Sequence, residues 1–158
     1  MTDIERLLDA LTAAGVDFVV VGGVALVLRG SSRTTVDLDL CYGRDRDNLT
    51  RLVDALTPYH PRLRGAPPEL PFVWDDRTLA SGLNFTLTTD LGDIDILGEV
   101  SGLGDHARVA AKSSALTVGR SNVVVLDLEG LEKSKRAAGR AKDLIDLAEI
   151  AEIRRRTD

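Results

Sequence analysis

Apolar residues along the chain switch between two spacings, and the switches divide it into elements. Residues 3–14 place Ile4, Leu7, Leu8 and Leu11 at helical spacing, with Thr2 or Asp3 to cap the start and Gly15 to stop it. Phe18 to Val21 is too short for a helix and rich in β-branched side chains, which predicts a buried strand. Gly22-Gly23 ends that run, and Val24 to Leu28 resumes as a short helix closed by Gly30. A polar connection, residues 31–35, leads into Val36-Asp37-Leu38-Asp39-Leu40. Strict alternation there predicts a strand with one acidic and one apolar face, on which Val36, Leu38 and Leu40 are expected to anchor it in the core.

Farther along, Leu49, Leu52, Val53 and Leu56 predict a helix over 46–57 that stops at Pro58. Residues 58–71 hold all 5 prolines together with Gly65 and read as an extended surface loop. Asn84 to Thr88 and Asp93 to Leu97 read as the strands of a hairpin turning at Thr89-Asp90-Leu91-Gly92. Val123 to Leu126 is a further buried strand, and the chain from Leu128 onward reads as helical with a break or bend at Gly139. Strands and helices in this order predict an α/β fold, a mixed sheet flanked by helices. One domain spanning 1–158 is expected, with a helical tail over about 128–156.

Composition narrows the function classes. Apolar residues make up 44% and charged residues 28% of the 158, an ordinary globular balance. A net charge of −5 argues against a chain-wide nucleic-acid footprint, and 4% aromatics against a base-stacking platform. Cys41 is the single cysteine, so no internal disulfide can form. His60 and His106 stand apart without zinc-ligand spacing. No apolar run reaches the ~20 residues that cross a bilayer, and the acidic start lacks a signal-peptide pattern. These features predict a cytoplasmic protein with no membrane partner.

The chemistry concentrates on acids. Asp37 and Asp39, two apart on a strand, share a face and repel each other unless a hard divalent cation such as Mg2+ or Mn2+ sits between them. Gly92-Asp93-Ile94-Asp95-Ile96-Leu97 repeats the pattern. Three carboxylates from two neighbouring strands can hold the paired cations used for in-line phosphoryl displacement. Alternation does not separate Asp93 from Asp95. Asp95 is preferred because Ile94 and Ile96 enclose it, whereas Asp93 follows the turn glycine and is more easily solvated. Gly22 and Gly23, between a strand and a helix, allow the backbone to approach a phosphate closely.

The run Val21-Gly22-Gly23-Val24-Ala25-Leu26, followed by Arg33-Thr34-Thr35-Val36-Asp37-Leu38-Asp39-Leu40, resembles the signature of the nucleotidyltransferase superfamily. That signature is a strand, a Gly-Gly or Gly-Ser turn, a short helix, an Asp-x-Asp strand and a third acid on a later strand, here matched by Asp95. The lead-in Arg-Thr-Thr and the tail from Leu131 to Asp143, followed by Asp146-Leu147, look most like the minimal nucleotidyltransferases and AbiEii-type toxins. The resemblance spans about residues 4–150. It departs at Gly23, where many members carry Ser, and in the absence of the large C-terminal domain of longer relatives.

The resemblance implies a metal-dependent, ATP-binding or other NTP-binding enzyme. An acceptor hydroxyl on RNA, protein or a small molecule would attack the α-phosphate, and pyrophosphate would leave. Asp37 and Asp39 would hold the metals, Asp95 would complete the site and accept the hydroxyl proton, and Gly22 and Gly23 would cradle phosphates. Five cations, Lys133, Lys135, Arg136, Arg140 and Lys142, fall within ten residues of the tail. Lys135 and Lys142 share one side if the helix is continuous, and with Arg33 and Arg140 they are expected to neutralise the triphosphate. Other readings are two unrelated, solvated acidic strand faces, a double glycine that is a plain strand-to-helix turn, a solvated, salt-bridged tail, a non-catalytic nucleotide-binding module, and an interaction partner of a cognate toxin or antitoxin protein. Cys41 reads as a small buried residue and Trp74 as a core or loop anchor.

Overall fold

Five helices start on an aspartate, which accounts for part of the acid content. The computed structural model describes residues 2–157. Helix α1 (Ile4–Ala13) begins where Arg6 N–H donates to Asp3 Oδ1 at 3.2 Å. Asp45, Asp75, Asp105 and Asp127 cap α3 (Arg46–Leu56), α4 (Asp76–Ser81), α5 (His106–Ala110) and α6 (Leu128–Ala138) in the same way. Helix α2 (Gly22–Leu28) follows strand β1 (Phe18–Val21) with no side-chain cap.

Seven strands form one mixed sheet in the order β3-β4-β5-β2-β1-β9-β8. They are β2 (Asp37–Tyr42), β3 (Arg62–Leu63), β4 (Phe85–Thr89), β5 (Gly92–Leu97), β8 (Ser113–Val118) and β9 (Ser121–Leu126), together with β1. A small separate ribbon joins β6 (Glu99–Val100) to β7 (Gly104–Asp105). Strand β1 is central, antiparallel to β2 and parallel to β9, while β2 runs parallel to β5. Helix α7 (Ala141–Thr157) packs on α6, and α6 on α2.

The core takes the apolar half of each alternating strand. Leu38, Leu40, Ile94 and Ile96 are fully buried, as are Leu7, Leu8 and Leu11 of α1. Val36 is not part of it. The strand begins at Asp37, and Val36 is 63% exposed, because the connection from α2 reaches the sheet one residue later than alternation implies. The proline-rich stretch is also more ordered than a loop. A 3-10 turn over Thr57–Tyr59 leads into it, and it contains strand β3, paired to β4. Trp74 anchors its far end by donating Nε1–H to the Val53 carbonyl at 3.1 Å. No helix among the described residues is long and apolar enough to cross a membrane.

Candidate functional site

Parallel pairing of β2 with β5 sets Asp37 opposite Asp93 and Asp39 opposite Asp95. Because alternate side chains share a face, four carboxylates gather on one patch of the sheet. Antiparallel pairing of β1 with β2 brings Val21 beside Asp39, so the turn into α2 lies directly over that carboxylate. Gly22 has φ +65°, and a Cβ on it would overlap Asp39 Oδ2. A glycine is required twice over, by the backbone and by the neighbour. Gly23 is less constrained: a Cβ there would lie 3.0 Å from Thr35 Oγ1.

Asp39 is the most loaded of the four acids. Its Oδ1 is buried without a hydrogen-bond partner among the described residues. Burial, then the charges of Asp95 and Asp37, push its carboxyl up to about 7, and Lys135 opposes the rise. A divalent cation would relieve the repulsion, and hard carboxylate oxygens are what Mg2+ or Mn2+ takes. The donor set fits such an ion in kind. As the side chains stand, no three acidic, histidine or cysteine groups among the described residues converge on one point. A guanidinium stands among them instead.

That guanidinium belongs to Arg64, which pattern reading of the sequence missed. Its Nη2 lies 2.8 Å from Asp95 Oδ1, its Nε 3.5 Å from Asp93 Oδ2 and its Nη1 3.6 Å from Asp37 Oδ2. The Asp95 contact is an ion pair without hydrogen-bond alignment, while Nη2 donates to the Leu87 carbonyl at 2.6 Å. The pairing of Arg62 and Leu63 with β4 places Arg64 there. A basic residue directly after a two-residue edge strand is the only sequence signal for it. Asp93 also accepts from Thr88 Oγ1 at 3.0 Å, a tie that Asp95 lacks.

The other residues singled out by sequence divide between the site and its surroundings. A cleft of about 230 Å³ is lined by Gly22, Asp39, Glu99, Ser134, Lys135 and Arg140, so α6 and the junction that leads into α7 face the carboxylates across it. Lys135 also pairs with Asp146 at 2.9 Å and Asp143 at 3.6 Å. Arg140 pairs with Asp143 at 2.8 Å. Arg33 is bound to Asp146 and, at 2.9 Å, to Glu149. The helix does break: Gly139, at φ +63°, separates α6 from α7. Lys142 therefore does not continue the Lys135 face and is exposed on α7. Cys41 is fully buried, and burial pushes its thiol up to about 12, which suits a packing residue.

No family model and no curated protein sequence matches the chain. Solved structures do. A candidate nucleotidyltransferase from Thermotoga maritima aligns with a TM-score of 0.60 at 15% identity, covering 96% of each chain. The lincosamide antibiotic adenylyltransferase LnuA, bound to lincomycin, aligns at 0.61 and 15% identity over 95% of each chain. An antigenic nucleotidyltransferase-like protein from Paracoccidioides brasiliensis aligns at 0.54 and 16% identity, covering 97% of this chain and 77% of its own. The fold is thus that of the nucleotidyltransferases, as the glycine turn and Asp-x-Asp strand led one to expect.

Proposed function

We propose that the protein is a divalent-cation-dependent nucleotidyltransferase, moving a nucleoside monophosphate from a triphosphate to an acceptor hydroxyl. The observation that carries this reading is the pairing of Asp37 and Asp39 with Asp93 and Asp95 in parallel register, beneath a glycine turn that clears Asp39. Asp37, Asp39 and Asp95 are the residues that would hold Mg2+ or Mn2+. The cation would supply charge stabilisation at the α-phosphate and orient the in-line displacement.

The remaining roles belong to the chain itself. Gly22 and Gly23 leave backbone space for phosphate oxygens above the carboxylates. Lys135 and Arg140, on the opposite wall of the cleft, would offset the charge of the triphosphate and departing pyrophosphate. Arg33 would act through Asp146, keeping Lys135's carboxylate partner in place. Asp95 would take the acceptor hydroxyl's proton. Asp93, tied to Thr88, would stay in support.

The test is to incubate the pure protein with Mg2+ or Mn2+ and each α-labelled triphosphate, in the presence of RNA, protein or small hydroxyl compounds. Metal-dependent label on one acceptor pool is the expected result. No label with any pair would sink the reading. A role beside a toxin or antitoxin protein draws on a different observation: Leu144 and Ile145 are 67% and 68% exposed on α7. Co-purification with the product of a neighbouring gene, lost in Leu144→Asp, would support it.

A further inference from the structure

We propose that Arg64 is the protein's own counter-cation for the carboxylate face, a positioning residue that yields its place when a divalent cation binds. This rests on reading that face as a cation site. One guanidinium lies 2.8 to 3.6 Å from three different carboxylates, Asp95, Asp93 and Asp37. Among the described residues, none of these three makes another ion pair. Without Arg64, Asp37, Asp93 and Asp95 would face one another and Asp39 with no ion-pair partner of their own, Lys135 alone offsetting part of the charge at Asp39, a repulsive arrangement. A planar, delocalised guanidinium suits the task better than an ammonium because it spreads its charge over several acceptors.

The attachment allows the side chain to leave. Arg64's backbone is pinned where its N–H donates to the Thr86 carbonyl at 3.0 Å, immediately after the β3–β4 pairing. Its contacts to Asp37 and Asp93, at 3.6 and 3.5 Å, are ion pairs longer than hydrogen bonds. The residue also lines a cavity of about 440 Å³ beneath the proline-rich segment, with Leu63, Pro67 and Phe72. Withdrawal into that space would give up the Asp95 contact and the Nη2 hydrogen bond to the Leu87 carbonyl at 2.6 Å, which the binding of a cation would have to offset. Arg64 and a cation on Asp37 and Asp95 therefore exclude each other, and the free protein binds metal more weakly than its four acids alone would.

Calorimetric titration of Mn2+, without nucleotide, into wild type, Arg64→Gln and Arg64→Lys tests this. Arg64→Gln is expected to bind Mn2+ about tenfold more tightly, a change of about 1.4 kcal/mol. Arg64→Lys keeps the charge but not its spread over three carboxylates, and is expected to fall between wild type and Arg64→Gln. In EDTA, Arg64→Gln should melt below wild type, and the gap should close as Mn2+ is added. Unchanged or weaker Mn2+ binding by Arg64→Gln, or a melting deficit indifferent to Mn2+, would overturn the proposal and leave Arg64 a hairpin strut. Mn2+ binding to none of the three proteins would overturn the cation reading and this proposal with it. If Arg64→Gln does not fold, wild type still decides: the Arg64 Nε resonance should shift on adding Mg2+, and an unmoved resonance counts against displacement.

Discussion

Asp39 combines burial, two acidic neighbours and an oxygen without a hydrogen-bond partner among the described residues. Its carboxyl, raised to about 7 from the ordinary 3.8, keeps a proton in the folded state that the unfolded chain has already released. Between those values the folded state binds more protons, so the metal-free protein loses stability as pH rises from about 4 to about 7. Asp39→Asn removes that slope and should fold as well as wild type in EDTA, which melting across pH would show. The same variant should lose nucleotide transfer by about a thousandfold, the equivalent of about 4 kcal/mol of charge stabilisation. Gly22→Ala should cost roughly 3 kcal/mol by denaturant unfolding, from a left-handed φ and the overlap with Asp39. Gly23→Ala should cost clearly less. The acids and the glycine turn were legible because period-two alternation and a Gly-Gly turn are local signals. Arg64 was not, because its contacts come from pairing β3 with β4 across more than twenty residues. Within a proline-rich stretch it reads as an ordinary loop cation.

The helical tail is held together by charge. Asp146 lies between Arg33 and Lys135, and Asp143 accepts from the Arg140 backbone N–H at 3.0 Å, the returning half of a capping box. Arg140 and Lys135 hold the Asp143 carboxyl down to about 2. That stability is present above the unfolded carboxylate value and is lost as pH falls towards 2, so Asp143→Asn should flatten the acid limb of a melting profile. Asp146→Ala should cost on the order of 3 kcal/mol by denaturant unfolding, because it strands two cations, one of them Lys135, whose side chain is only 15% exposed. The cluster of cations in the sequence suggested a nucleotide-facing surface. It could not show that two of them, Lys135 and Arg140, are also structural partners of acids on α7. Gly139 was readable as the break because only a glycine enters the left-handed region there without strain. Strand β8 escaped because it is a half-exposed edge strand whose polar and apolar residues do not alternate cleanly.

At the scale of the molecule, the sheet order brings two acid-bearing strands together although 49 residues, with α3, the proline-rich segment, α4 and β4, separate them. The parallel β2–β5 register is the step that no local pattern contains; it turns two separate acidic strand faces into one patch. The glycine turn of β1–α2 and the α6–α7 junction then close over that patch from two sides. The most direct test is a crystal structure with Mn2+ and a triphosphate analogue that cannot be transferred, with Mn2+ located by its anomalous scattering. Anomalous peaks bounded by Asp37, Asp39 and Asp95, with the phosphates over Gly22 and Gly23 and Arg64 withdrawn, are the predicted result. Mn2+ bound elsewhere, or Arg64 still lying across the acids with the analogue seated away from the glycine turn, would contradict it.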